Sequence, residues 1–171
     1  KCYRNIRVVD GISFTLRPGQ VAGYLGPNGS GKSTTVKMIV GLIEPTSGKV
    51  FLDGADVRRD MPGFRRRLGY VPEEAVLYSF QTGLEYLQLI GRLRGLDPRL
   101  VDRRAGDLLE LFSLHAHRHA FISAYSKGMR QRLLIASALL HDPEVLILDE
   151  PLSGMDVTSA ILFKHLLDEL A

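Results

Sequence analysis

The chain has 171 residues, 45% of them apolar and 24% charged, with a net charge of +3. That length holds a sizeable core, and the balance is that of a globular domain, not of a disordered or fibrous chain. A charge so near neutral does not point to nucleic acid or to an anionic membrane surface, and the single cysteine, Cys2, excludes an internal disulfide and fits a reducing compartment.

At the start of the chain Tyr3 reads as an ordinary strand tyrosine. Ile12 to Leu16 alternates apolar and polar side chains, the pattern of a half-buried strand. Arg17-Pro18-Gly19-Gln20 reads as a turn, and Val21 to Leu25 as the next strand. Lys32 to Gly41 is predicted as the first helix, ended by Gly41 and then Pro45. Lys49 to Leu52 is a short strand stopped by Asp53-Gly54, a strong turn dipeptide. Asp60 to Arg67 reads as a short basic helix or turn whose Arg65, Arg66 and Arg67 form a solvated face. Leu68 to Val71 is a strand ended by Pro72, and Glu73 to Thr82 a loop.

Gly83 to Gly95 is expected to be helical, and Pro98 takes a first-turn position of another helix. In the latter, Val101, Ala105, Leu108, Leu109 and Phe112 make one apolar stripe. Residues from about 80 to 125 therefore read as an all-helical insert in an α/β frame. The helix opened by Tyr125 to Arg132, with its own stripe of Met129, Leu133, Ala136, Ser137 and Leu140, extends the insert to about 140. Its longest apolar run, Leu133 to Leu140 with Ser137 inside it, is far short of the ~20 residues of a membrane span. His115, His117 and His119 have no Cys or carboxylate to complete a zinc set and read as a solvent-exposed turn. His141-Asp142-Pro143 ends the helix. Val145 to Leu148, four consecutive aliphatics, reads as a strand buried on both faces. Pro151 to Asp156 is a loop, and Thr158 to Leu170 a last helix with Phe163, Leu166, Leu167 and Leu170 on one side. Both ends read as cut, so the chain is expected to be a fragment of a larger domain.

Two stretches carry chemistry. Gly26-Pro27-Asn28-Gly29-Ser30-Gly31-Lys32-Ser33-Thr34 has the spacing G-x-x-x-x-G-K-S between a predicted strand and a predicted helix. Glycines let the backbone curl around a phosphate and turn N–H groups inward, and the helix adds the positive end of its dipole. Lys32 can reach the β- and γ-phosphates of a nucleoside triphosphate, and the Ser33 hydroxyl can hold Mg²⁺. The second stretch is the buried strand that delivers Asp149 and Glu150. There Asp149 can bind Mg²⁺, and Glu150 can polarise the water that attacks the γ-phosphate.

With both stretches in place, the chain resembles the nucleotide-binding domain of an ATP-binding cassette (ABC) ATPase over nearly its whole length. Gly26 to Thr34 matches the Walker A loop, and Ser126-Lys127-Gly128-Met129-Arg130-Gln131 falls where the family has its signature motif. Val145 to Glu150 matches Walker B with its catalytic glutamate, and Ser153-Gly154-Met155-Asp156 resembles the D-loop. The Ser-x-Gly helix start 23 residues before Asp149 is far more specific than a phosphate loop alone. The resemblance implies a P-loop NTPase fold with a mixed sheet core, N-terminal antiparallel strands and an inserted helical subdomain. It implies ATP and Mg²⁺, with Tyr3 in the place of the aromatic that stacks on adenine. It also implies two such domains head to tail, each ATP held between Gly26–Thr34 of one and Ser126, Lys127, Gly128 and Met129 of the other. A transmembrane permease would be the partner, reached through the helical insert, and the chain would lie peripherally on the cytoplasmic face of a membrane. Tyr70-Val71-Pro72-Glu73-Glu74-Ala75-Val76-Leu77-Tyr78 and the signature wording look most like the exporter branch with a separate membrane subunit.

Three departures stand out. Glu73 occupies the place of the family's usual Gln beside the γ-phosphate, where a carboxylate can still meet Mg²⁺ or the attacking water. Tyr125-Ser126-Lys127-Gly128-Met129 keeps only Ser and the second Gly of the common Leu-Ser-Gly-Gly-Gln. His165 lies too early to be the switch histidine, which is expected ~30 positions beyond Glu150. The alternative is a soluble ABC ATPase that clamps ribosomes, DNA or protein assemblies. A non-catalytic nucleotide-binding regulator fits poorly with intact Lys32, Ser33, Asp149 and Glu150.

Overall fold

The structure, a computed structural model, describes residues 1–73, 77–152, 161, 163, 164 and 167. Ser153 to Asp156 and most of the Thr158–Leu170 helix, with Leu166, Leu170 and His165, lie outside the described residues. Strands and helices mix along the chain in an α/β arrangement. It divides into two compact units, Lys1–Phe64 with Val157–Ala171, and Arg65–Asp156.

The first unit opens with an antiparallel hairpin of β1 (Cys2–Tyr3) and β2 (Ile6–Arg7). Beyond it, the N–H groups of Val8 and Val9 both donate to the Lys1 carbonyl, at 2.9 and 3.2 Å. Thr46 fastens the hairpin at Cys2 through its hydroxyl, which accepts from the Cys2 N–H at 3.0 Å. The phosphate-loop sequence leads into α1 (Lys32–Ile39), which ends, as predicted, where Gly41 turns left-handed at φ 72°. A second hairpin pairs β3 (Phe51–Leu52) with β4 (Ala55–Asp56). Its turn is Asp53-Gly54, both at positive φ (49° and 76°), as a two-residue hairpin turn requires. Asp56 then caps a 3₁₀ turn (Val57–Asp60) that runs into α2 (Met61–Arg67).

The segment between the first hairpin and the loop departs from expectation. Its predicted turn forms, with Gln20 N–H donating to the Arg17 carbonyl at 3.1 Å and Gly19 at φ 75°. Phe14 and Tyr24 stack across that turn at 6.3 Å. Yet neither Ile12–Leu16 nor Val21–Leu25 is a strand, and their apolar side chains are exposed, Val21 at 61% and Leu25 at 90%. Alternation assigns faces to side chains, but a ladder also needs a neighbouring backbone at about 4.8 Å, and among the described residues none pairs with these segments.

The second unit joins a parallel strand pair to three helices. β5 (Leu68–Val71) and β6 (Val145–Leu148) have the predicted bounds and pair in parallel, Leu68 opposite Val145 and Val71 opposite Leu148. The expectation that Val145–Leu148 is buried on both faces is corrected: all four residues are half-buried, because β5 alone flanks the strand among the described residues. α3 (Gly83–Leu93), α4 (Pro98–Leu111) and α5 (Lys127–Leu139) pack on one another, and α5 also lies on β5. Both predicted stripes face inward: Val101, Ala105, Leu109, Leu133, Ala136 and Leu140 are buried. Close approaches fall at glycines. A Cβ on Gly69 would stand 2.6 Å from the Ala138 carbonyl, so α5 sits directly against the β5 backbone.

Where α5 ends, His141 donates through Nε2 to the Leu68 carbonyl at 3.0 Å. Arg94, which follows the last residue of α3, also reaches that carbonyl (3.4 Å) and donates to Arg65 O (2.6 Å), while Arg104 of α4 pairs with Asp142 (3.2 Å). Burial above all, then the Arg94 charge, lower the His141 pKa against the raising effect of the Leu68 bond, and the smaller effects of Arg104 (lowering) and Asp142 (raising) follow. The unfolded chain therefore binds more protons than the folded one between the lowered value and the ordinary ~6.5, and stability rises with pH across that window. Acidification from pH 7.5 to 5.5 is expected to lower the thermal midpoint more in the wild type than in His141→Gln, which has no imidazole to protonate. Parallel pH profiles of the two would show this group to be without influence.

Candidate functional site

The Gly26–Thr34 loop is folded around Lys32. The ammonium donates to the carbonyls of Gly26 (2.7 Å) and Pro27 (3.0 Å), drawing the helix start over the loop. Ser30 N–H closes a turn on the Pro27 carbonyl at 3.2 Å. Gly31 precedes α1 at φ 89°, a conformation that opposes any side chain. Space opposes one as well, since a Cβ there would lie 2.7 Å from the Val8 carbonyl and 2.9 Å from Val9 Cγ2. The residues just beyond the first hairpin thus form one wall of the loop.

Within α1 the first N–H to reach back is that of Thr35, to Gly31 O at 2.8 Å. The N–H groups of Lys32, Ser33 and Thr34 precede it, and no side chain caps the helix start. A helix N-terminus with uncapped donors and an adjacent lysine is the donor set that phosphate oxygens require, and the neighbouring serine oxygen can ligate Mg²⁺. Tyr3 is half-exposed on β1 with Lys1 Nζ 5.0 Å above its ring. A flat aromatic group could stack on that face only in exchange for the Lys1 ammonium.

In the second unit, the parallel register brings the ends of β5 and β6 to the same edge. Asp149 N–H donates to the Val71 carbonyl at 2.8 Å, extending the ladder one step and fixing the peptide that carries the acidic pair. Asp149 is 8% exposed, whereas Glu150 is exposed and held at φ 51°, a strained conformation for a non-glycine residue. Burial, and then the Asp149 carboxylate, push the Tyr70 hydroxyl pKa above its ordinary value, which places Tyr70 in the field of that charge. Glu73, two residues past the end of β5, is exposed beyond the same strand ends.

α5 starts at Ser126, whose hydroxyl accepts from Met129 N–H at 3.2 Å. Ser126 and Lys127 are exposed, and Gly128 and Met129 half-buried. His115 to His117 form an exposed 3₁₀ turn.

The sequence profile of the ABC transporter family matches residues 9–153. The chain belongs to the ABC transporter family. The match runs through the phosphate loop, the start of α5 and the Asp149-Glu150 pair. One relative, the uncharacterized ABC transporter ATP-binding protein YxlF of Bacillus subtilis, is 42% identical over 170 residues, 99% of this chain and 56% of YxlF. The Nod factor export ATP-binding protein I of Ralstonia nicotianae is 42% identical over 156 residues, 91% of this chain and 49% of that protein. A solved ATP-binding subunit of an ABC transporter superposes with a TM-score of 0.76 at 36% identity, covering 85% of this chain and 61% of that one. This ABC transporter chain therefore has the P-loop NTPase fold expected of it, and it spans about half the length of these two relatives.

Sequence reasoning passed over Tyr70, the Arg94–His141 cluster and the seat of Tyr125 against Gly83. A signal for the last was present, since Thr82-x-x-Glu85 is a capping box that marks where α3 begins.

Proposed function

We propose that this chain is the nucleotide-binding domain, with a helical subdomain at about 80–140, of an ATP-binding and ATP-hydrolysing subunit of a membrane ABC transporter. The observation that carries the proposal is the Gly26–Thr34 loop, with Lys32 hooked over its carbonyls and three uncapped N–H groups at the start of α1. In this reading Gly26, Pro27, Asn28, Gly29, Ser30, Gly31, Lys32, Ser33 and Thr34 hold the triphosphate and Tyr3 the adenine. Lys32 exchanges its carbonyl partners for phosphate oxygens, whose negative charge it stabilises as the terminal phosphoryl group leaves. Glu150 takes the proton of the attacking water. Ser33, Asp149 and Glu73 would supply oxygen ligands to Mg²⁺, which when bound would neutralise phosphate charge. Ser126, Lys127, Gly128 and Met129 of a second domain, identical or homologous, close over the ATP, so that binding joins two domains and hydrolysis parts them.

Among the described residues no helix is long and apolar enough to cross a membrane. In this reading the membrane path belongs to a separate permease, and the chain sits at the cytoplasmic face. Export is the direction favoured by the Tyr70–Tyr78 wording and by the name of the Nod factor relative. Purification of the full-length protein from membranes in mild detergent tests this. A stoichiometric polytopic partner with ATPase activity in the same sample is expected. A soluble protein that copurifies with ribosomes or DNA would overturn the transporter assignment in favour of a nucleotide-driven clamp.

A further inference from the structure

We propose that Tyr125 is a positioning residue, which locks the first turn of α5 to the first turn of α3 through its phenol. Tyr125 stands where the common family signature has Leu, and it is only 2% exposed although Ser126 and Lys127 beside it are exposed. Its hydroxyl donates to the His117 carbonyl at 2.8 Å. A Cβ on Gly83, the first residue of α3, would lie 2.4 Å from that hydroxyl oxygen and 3.3 Å from the ring carbon that bears it. The phenol therefore occupies the notch that glycine leaves. The Gly83 N–H has no intrahelical acceptor at this position. Burial raises the Tyr125 pKa, and a hydrogen bond with the Gly83 backbone opposes that rise.

The chain on either side is laced together. Ser123 N–H donates to Ser79 O at 3.0 Å, Ile122 N–H to Gln81 O at 2.8 Å, and Leu84 N–H to Arg118 O at 3.1 Å. Thr82 and Phe121 form an antiparallel bridge. Segments 79–84 and 117–125 thus make a single clip, with Tyr125 as its last pin before Ser126. What the pin holds is the direction in which Ser126 and the N–H groups of the first α5 turn point. A leucine, shorter than the phenol, would leave the Gly83 notch open and make neither polar contact.

This inference rests on the reading that the first α5 turn closes on ATP held by a second domain. Its test uses the full-length protein with its membrane partner, as wild type, Tyr125→Phe, Gly83→Ala and the double variant. Five quantities are read: ATPase kcat and KM, direct ATP binding, ATP-driven association in a Glu150→Gln background, and the thermal midpoint. Tyr125→Phe is expected to lower kcat and weaken association roughly three- to ten-fold, with ATP binding and the thermal midpoint near wild type. Gly83→Ala is expected to lose more. Adding Tyr125→Phe to Gly83→Ala should recover much of that loss, because the atom at 2.4 Å is gone and the ring carbon at 3.3 Å need give only slightly. Wild-type kcat and association in Tyr125→Phe, or losses that follow the thermal midpoint alone, overturn the proposal. If the wild type shows no ATP-driven association, the reading beneath it falls first and the proposal with it.

Discussion

Glu150→Gln is expected to bind ATP as the wild type does and to lose roughly 10²–10⁴-fold in steady-state turnover. The amide matches the carboxylate in shape but cannot take a proton from water. The backbone gives no reason for a confounding loss of fold. Glu150 is exposed, and its φ of 51° opposes Gln and Glu alike. Its peptide is fixed from the strand side by the bond from Asp149 N–H to Val71 O at 2.8 Å. With binding kept and hydrolysis lost, ATP-joined domains should accumulate. Phosphate release and the size of the complex in ATP, measured on the full-length protein, check both halves of the expectation. Unchanged turnover would remove Glu150 from the role of base.

Lys32→Ala should weaken ATP binding roughly 10- to 100-fold, the loss expected when a hydrogen-bonding cation is taken from a charged partner. The two bonds from Lys32 to Gly26 O and Pro27 O, at 2.7 and 3.0 Å, are exposed, so water can replace them and the thermal midpoint should hardly move. Lys32→Arg sharpens the test. It keeps the charge, but a planar guanidinium does not reproduce a compact ammonium inside a tight glycine loop, and recovery should be partial at most. Titration calorimetry of the three proteins with ATP measures the effect. Wild-type affinity in the alanine variant would make the lysine a staple of the loop and nothing more.

These two sites were the most legible parts of the sequence because their chemistry is local. A glycine loop followed by Lys-Ser, and an aliphatic run ending in two acids, are contiguous stretches whose chemistry depends on little beyond themselves. Strands β5 and β6 were bounded to the residue by Pro72, Pro143 and the acidic pair. Helices α4 and α5 were equally plain, since each apolar stripe is long enough to set its own period. What escaped was what depends on a partner distant in sequence. Ile12–Leu16 and Val21–Leu25 have strand composition without a paired strand among the described residues. β4, two residues long, carries no pattern of its own and exists through its turn with β3. Tyr125 reads as one more apolar residue until Gly83 is seen against it.

The seam where the Val8 carbonyl meets Gly31 bears on how this chain can vary over evolutionary time. A Cβ at Gly31 would find backbone 2.7 Å away, and backbone cannot rotate aside as a flexible side chain can. At the tip of the second hairpin, by contrast, a Cβ on Gly54 would meet open space. Insertions and deletions should therefore collect at such tips and be purged from the seam. One extra residue between Ile6 and Val9 would shift the chain that leads out of the first hairpin and, through Val8, displace a loop more than twenty positions further along the chain.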